Sequence, residues 1–181
     1  MPNYRIEGHA IVSADDMIAD SNGDKPAALD NAADWARFQA ALDEAAVVVF
    51  GRRSHVAAPN LRGRNRLILS RSVGSLERRD DGLWWNPDGA AFADALTKAA
   101  PEGGAVAVIG GQQVFDTFLG AFDAFHLSRN PGVSLPGGVP LLSACSDGTS
   151  PEEVLERAGL SASERETLDA DAEVSVTVWR R

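Results

Sequence analysis

Three short apolar runs, Val47-Val48-Val49-Phe50, Leu67-Ile68-Leu69 and Val106-Ala107-Val108-Ile109, constrain this chain more than any other feature. They are too short for buried helices and lack the polar alternation of a half-solvated strand, so each reads as a strand covered on both faces. Helices supply such covers. Between Asn31 and Ala45, Trp35, Phe38 and Leu42 recur at helical spacing behind Asp30 or Asn31 as the amino-terminal cap. Asp88 to Ala100 is Ala-rich and stopped by Pro101, and Gln112 to Leu119 is stopped by Gly120. Strand and helix alternate, the pattern of parallel neighbours joined by helical crossovers.

The two ends of the chain add to the sheet. Tyr4 to Ser13 leads into Ala10-Ile11-Val12, a first strand passing into the polar loop Ala14 to Asp30, and Phe122 to Ser128 adds another strand. After the Pro/Gly-rich loop Pro131 to Pro140, Ser150-Pro151-Glu152-Glu153 is a capping box with proline at the first helical position, and Gly159 ends that helix. In the tail, Val174, Val176 and Val178 alternate with Ser175, Thr177 and Trp179, as in an antiparallel strand pairing with Ser161 to Leu168 across the turn Asp169 to Glu173. The fold class is therefore α/β, with a mixed, mainly parallel central sheet, flanking helices and a C-terminal antiparallel hairpin. With no internal repeat, linker or composition break, residues 1–181 are expected to form a single domain.

Charge narrows the partners. Seventeen basic against twenty-six acidic side chains give a formal charge of -9, which argues against nucleic acid because a polyanion needs a net basic face. Between Gly51 and Arg79, however, Arg52, Arg53, Arg62, Arg64, Arg66, Arg71, Arg78 and Arg79 meet Glu77 as the only local acid, which predicts a positive field and a small anionic ligand. The single cysteine, Cys145, excludes an intramolecular disulfide and a Cys-rich zinc site and fits a reducing compartment. The amino terminus lacks the pattern of a signal or transit peptide, and no stretch approaches the roughly 18 apolar residues of a membrane helix. A cytoplasmic protein without a membrane partner is the expectation.

In a parallel sheet the carboxyl ends of the strands share one edge, where ligands usually bind. Phe50 runs into Gly51-Arg52-Arg53-Ser54, Leu69 into Ser70-Arg71-Ser72, and Ile109 into Gly110-Gly111-Gln112-Gln113. Glycine lets a phosphate approach the main chain, and arginine and serine supply charge and hydrogen bonds. Singly, each turn is weak evidence; their coincidence on one edge favours a nucleotide site. Neither a G-x-G-x-x-G after the first strand nor a G-x-x-x-x-G-K-[ST] occurs, so the Rossmann and Walker readings fail.

These segments, with Pro59 to Arg71 and Val108 to Phe115, resemble dihydrofolate reductase and its relative, the pyrimidine reductase domain of riboflavin biosynthesis. The resemblance implies a three-layer fold and NADPH as cofactor. By it, Gly51, Arg52, Arg53 and Ser54 would hold the pyrophosphate and adenosine phosphates, Ser70, Arg71 and Ser72 would recognise the 2′-phosphate, and Ile109, Gly110, Gly111, Gln112, Gln113 and Val114 would line the cofactor near the nicotinamide.

The resemblance also implies a substrate side. Asp34, four residues before Phe38 on one helix face, matches the acid that binds the heterocycle and supports its protonation, and Ser128 matches a hydroxyl that supports the acid. Asp34 is equally an acid favoured by the first turn of a helix. Asp15, in Ser13-Ala14-Asp15-Asp16-Met17-Ile18-Ala19, is similar to the S-x-D-G-x-I-A stretch of riboflavin-pathway reductases, with Asp16 in place of glycine; a solvated acidic loop is the alternative. Ile11 and Ile18 would also face substrate, and Arg64 matches the arginine that grips the glutamate tail in dihydrofolate reductases, with a ribose-phosphate contact or simple exposure as the alternatives. A true folate enzyme is disfavoured: Asp20 to Asp30 lacks a tryptophan, Phe115 replaces a tyrosine, and Gly138 stands where the family carries an acid. His9, His55 and His126 are too scattered to suggest a metal site or relay, so no metal is expected, and Trp84-Trp85 reads as strand packing. The expectation is an NADPH-dependent reductase of the riboflavin-pathway type acting on a small heterocyclic or carbonyl substrate. Dihydrofolate reduction and a non-catalytic nucleotide-binding module are the alternatives, and a homodimer stays open.

Overall fold

The structure is a computed structural model that describes residues 2–181. In chain order its elements are β1 (Tyr4–Ser13), β2 (Met17–Ala19), α1 (Ala32–Glu44), β3 (Val47–Gly51), α2 (Arg52–Ala57), β4 (Arg66–Leu69), β5 (Leu76–Arg79), β6 (Gly82–Trp85), α3 (Phe92–Ala99), β7 (Gly104–Val108), α4 (Gln112–Phe118), β8 (Ala124–Asn130), β9 (Val139–Pro140), α5 (Pro151–Arg157), β10 (Ser161–Ala162), β11 (Glu166–Asp169) and β12 (Val174–Arg180). The three apolar runs are the central strands β3, β4 and β7, and Val47, Val49, Leu67, Ile68, Val106 and Val108 are fully buried. At roughly 1.5–3 kcal/mol for each large apolar side chain removed from water, this central layer dominates the stability.

The main sheet runs β10-β12-β8-β1-β7-β3-β4-β6-β5, with β11 paired to β12. Strands β8, β1, β7, β3, β4 and β6 are parallel to one another, while β5 and the tail strand β12 join antiparallel. The sheet is mixed and mainly parallel, as the alternation predicts, with the antiparallel β11–β12 hairpin at its C-terminal end.

Side-chain parity sorts the two faces. Val47, Val49, Val106 and Val108 pack with Leu96 and Ala99 of α3, Phe115 and Phe118 of α4, and Val154 and Leu155 of α5 in the larger core. On the opposite face Val48, Phe50 and Ala107 pack with Phe38 and Leu42 of α1. A cavity lies under α1.

Several boundaries move for identifiable reasons. Asp88 to Ala90 is a turn and not the start of α3, because Asn86 accepts the backbone N–H groups of Gly89 and Ala90 through its carbonyl and that of Asp88 through its side chain. The loop Ala14 to Asp30 contains β2, and Pro131 to Pro140 contains β9; these pair with each other antiparallel. The capping box at Ser150 is complete: its hydroxyl accepts from Glu153 N at 3.2 Å and Glu153 Oε2 accepts from Ser150 N at 2.9 Å. Among the described residues no helix is long and apolar enough to cross a membrane.

Candidate active site

The neighbouring strands β4, β3 and β7 end side by side, so the turns at Ser70, Gly51 and Gly110 share one rim. Gly51 N donates to Gly110 O at 3.1 Å, which ties two of the turns together. Gly110 has φ of 107°, and a Cβ added there would lie 2.8 Å from Cε2 of Phe115, so both conformation and space demand glycine. A Cβ at Gly111 would meet no protein atom within 4 Å, and Gly111 lines the cavity, leaving its backbone open to a ligand. Val114 is buried in α4, whereas Gln112 is turned away, donating through Nε2 to Pro140 O at 3.0 Å; Gln113 is exposed.

The arginine excess is largely neutralised by acids brought from elsewhere in the chain. Arg62 and Arg64 both engage Asp43 of α1, Arg79 engages Glu77, and Arg53 engages Asp24 at 2.8 Å together with Asn22 O at 2.7 Å. Arg66 bonds His55, which bonds Asp81. Arg52 and Arg71 are exposed at the rim and have no hydrogen-bond or ion-pair partner among the described residues. Ser70 is buried beside Arg71, its hydroxyl 2.8 Å from that of Ser72. Arg78, on β5, donates only to Lys98 O, so at the rim itself Arg52 and Arg71 are the cations left without an acid.

A cavity of about 360 Å³ opens beside it. One wall comes from the rim and α2, through Arg53, Ser54, Ile109 and Gly111; the other comes from β1, β8 and α1, through Ile11, Asp34, Phe38 and Ser128, with Ile18 of β2 between them. Asn31 caps α1 by accepting from Ala33 N and Asp34 N, which fixes Asp34 at the cavity side of the first turn. Burial raises the Asp34 pKa, opposed by the neighbouring Ser128 hydroxyl and by Lys25 and Arg37. An acid with a raised pKa beside a buried hydroxyl in a cleft is equipped to hold or release a proton.

Two candidates lie elsewhere. Asp15 does not line the cavity: its carboxylate accepts from Leu135 N at 2.9 and 3.0 Å and from the Ser13 hydroxyl at 2.5 Å, tying the β1 end to the 131–140 loop. Although partial burial acts to raise its pKa, these hydrogen bonds hold it below the usual carboxylate value. Asp16, in the position of the family glycine, adopts the left-handed φ of 70° and bonds Arg129 at 2.6 Å, so the turn forms without glycine. Arg64 also stands outside the cavity, with its guanidinium occupied by Asp43 and by Gln39 Oε1 at 2.8 Å. Gly138 lies so close to β2 that a Cβ would be 2.4 Å from Ala19 O, which explains why no acidic side chain occupies that position.

The scattered-histidine expectation is overturned. Strand β8 pairs with β1 so that His126 lies opposite His9, and their rings stack with centroids 4.4 Å apart. Glu7 Oε2 lies 3.6 Å from His126 Nε2 and 3.9 Å from His9 Nε2, so three metal-ligating side chains converge. The rings lie nearly parallel, only 9° apart, and Arg37 Nη2 already occupies His126 Nδ1 at 3.0 Å. That arrangement suits hydrogen bonding better than a metal ion.

No protein-family model and no curated protein matches the chain. Solved structures do. A diaminohydroxyphosphoribosylaminopyrimidine deaminase/5-amino-6-(5-phosphoribosylamino)uracil reductase from Thermotoga maritima is similar over 98% of this chain at 17% identity and a TM-score of 0.64, and the chain spans 56% of that protein's length. A putative riboflavin biosynthesis protein from Shewanella sp. PV-4 is similar over 98% of both chains at 20% identity and a TM-score of 0.63. Dihydrofolate reductase from Enterococcus faecalis, complexed with NADP(H) and RAB-propyl, is similar over 98% of this chain and 96% of its own at 13% identity and a TM-score of 0.66. The chain has the dihydrofolate reductase-like fold.

Proposed function

We propose that this protein is an NADPH-dependent reductase of a small heterocyclic or carbonyl compound, of the kind that reduces a ribosylated aminopyrimidine. The observation that carries the reading is one cavity in which a raised-pKa acid, Asp34, and the buried Ser128 face a glycine rim flanked by Arg52 and Arg71, which have no ion-pair partner among the described residues. The neighbour complexed with NADP(H) supports the choice of cofactor. The donor set fits it: Arg52 and Arg71 are free to meet phosphates, Ser70 and Ser72 add hydroxyls, and Gly111 leaves space for the cofactor against the backbone.

Bound there, NADPH would supply a hydride to the electrophilic carbon of a C=N or C=O group. Asp34 orients the heterocycle and holds the proton that the neighbouring nitrogen or oxygen must accept, and Ser128 fixes the carboxyl group from below. Ile11, Ile18, Phe38 and Ile109 exclude water around the reacting atoms. Asp15 acts by tying the end of β1 to the 131–140 loop that carries β9. Folate is the weaker substrate, because Arg64 is engaged away from the cavity.

Loss of NADPH absorbance is followed with the ribosylated aminopyrimidine, dihydrofolate and a carbonyl panel, with cofactor binding titrated separately. Turnover of the aminopyrimidine or a related heterocycle supports the reading. Binding without turnover across the panel would favour a nucleotide-binding module instead.

A further inference from the structure

The α1-facing wall of the cavity carries more polar chemistry than proton supply requires. Glu7 and His9 alternate on β1, His126 opposes His9 on β8, and Arg37 reaches down from α1; His9, Arg37 and His126 all line the cavity. A guanidinium has only donors, so the 3.0 Å bond from Arg37 Nη2 makes His126 Nδ1 an acceptor and places the imidazole proton on Nε2, facing Glu7. Burial drives the His9 pKa down to about 3, so His9 is neutral. Glu7 is engaged by Arg5 in addition to the histidines, Lys25 by Asp30 and Arg53 by Asp24. Arg37 has no carboxylate within ion-pair distance among the described residues, and only one of its donors has a protein partner.

We propose that Arg37, oriented by His126 and Glu7, forms an oxyanion subsite in the substrate cavity, so that the ligand bound there carries a carboxylate or phosphate group. A planar fork of donors at an apolar cavity wall, where Phe38 and Trp35 give aromatic surface, suits an aromatic or heterocyclic anion. Glu7 is a positioning residue: it fixes the His126 tautomer that receives Arg37 and does not itself line the cavity. The inference rests on the reductase reading only in calling the ligand a substrate.

The test is calorimetric titration of the full chain, without cofactor, with benzoate, phenyl phosphate and the neutral benzamide. Either anion is expected to bind at least about tenfold more tightly than benzamide, with that preference lost in Arg37→Gln and only partly kept in Arg37→Lys. Glu7→Gln should weaken the anion preference while leaving benzamide unchanged. A benzoate-only or phosphate-only preference identifies which oxyanion is meant. Equal binding of all three probes, or an unaltered preference in Arg37→Gln, overturns the subsite. NADPH titrated into the same samples separates the two ideas: cofactor binding without an anion preference removes the subsite alone, and anion preference without cofactor binding removes the reductase reading alone.

Discussion

At the scale of single residues, Asp34 and His9 make opposite predictions. The folded pKa of Asp34 lies above its unfolded value, so the folded state binds the proton more tightly and loses stability as pH rises through that interval. Asp34→Asn removes the cost. The variant should be more stable than the parent at neutral pH, equally stable in acid, and slower in turnover by roughly 10²–10⁴-fold with NADPH binding intact. Thermal midpoints across pH and single-substrate kinetics check both parts. His9 behaves in reverse: with a folded pKa of about 3 against an ordinary value near 6.5, its contribution is intact above pH 6.5 and erodes as pH falls. Glu7, held at about 2 by the nearby His126 and by Arg5, begins to contribute to acid loss only below its ordinary value near 4.5. Between pH 6.5 and 4.5, where His126, Glu7 and Arg37 are the charged or titratable groups facing it, His9→Gln should flatten the decline in urea midpoint; an unchanged slope would contradict the assignment. Asp34, Phe38 and Ser128 were legible from spacing and resemblance. The histidine cluster was not, because it depends on a strand register joining residues 117 positions apart, which no local pattern encodes.

At the scale of elements, legibility followed burial. Strands β3, β4 and β7 stand out because both of their faces are covered, leaving an uninterrupted apolar run. Strand β5, Leu-Glu-Arg-Arg, is invisible to the same argument: it is an edge strand held only by β6 and largely exposed. β2 and β9 are short and pair only with each other. Helix α5 announced itself through its cap, and Ser150→Ala should cost about 1 kcal/mol in urea unfolding because Glu153 N loses its acceptor. The rim turn is more demanding. Gly110→Ala must adopt a left-handed φ and displace Phe115, so it should destabilise the fold by about 1–3 kcal/mol and weaken cofactor binding; comparable alanine substitution at Gly111, with normal φ, should spare stability and impair binding alone.

At the scale of the whole molecule, the sheet order converts separate segments into one site. The parallel order β7-β3-β4 sets three turns along one rim, and the placement of β8 beside β1 brings Ser128 toward α1 and Asp34. The sequence alternation foretold the parallel rim but not which acids would return to the arginines. Asp43 lies on α1 and Asp24 in the preceding loop, both outside the basic stretch, and together they leave Arg52 and Arg71 as its unpaired rim cations. If Arg71 meets a 2′-phosphate, Arg71→Ala should weaken NADPH by roughly tenfold or more and NADH little. The most direct measurement is calorimetry of the unmodified chain with NADPH and NADH in parallel. Saturable NADPH binding that is tighter than NADH and depends on Arg71 is expected; no binding heat with NADPH and no protection of the fold by it would contradict the cofactor site.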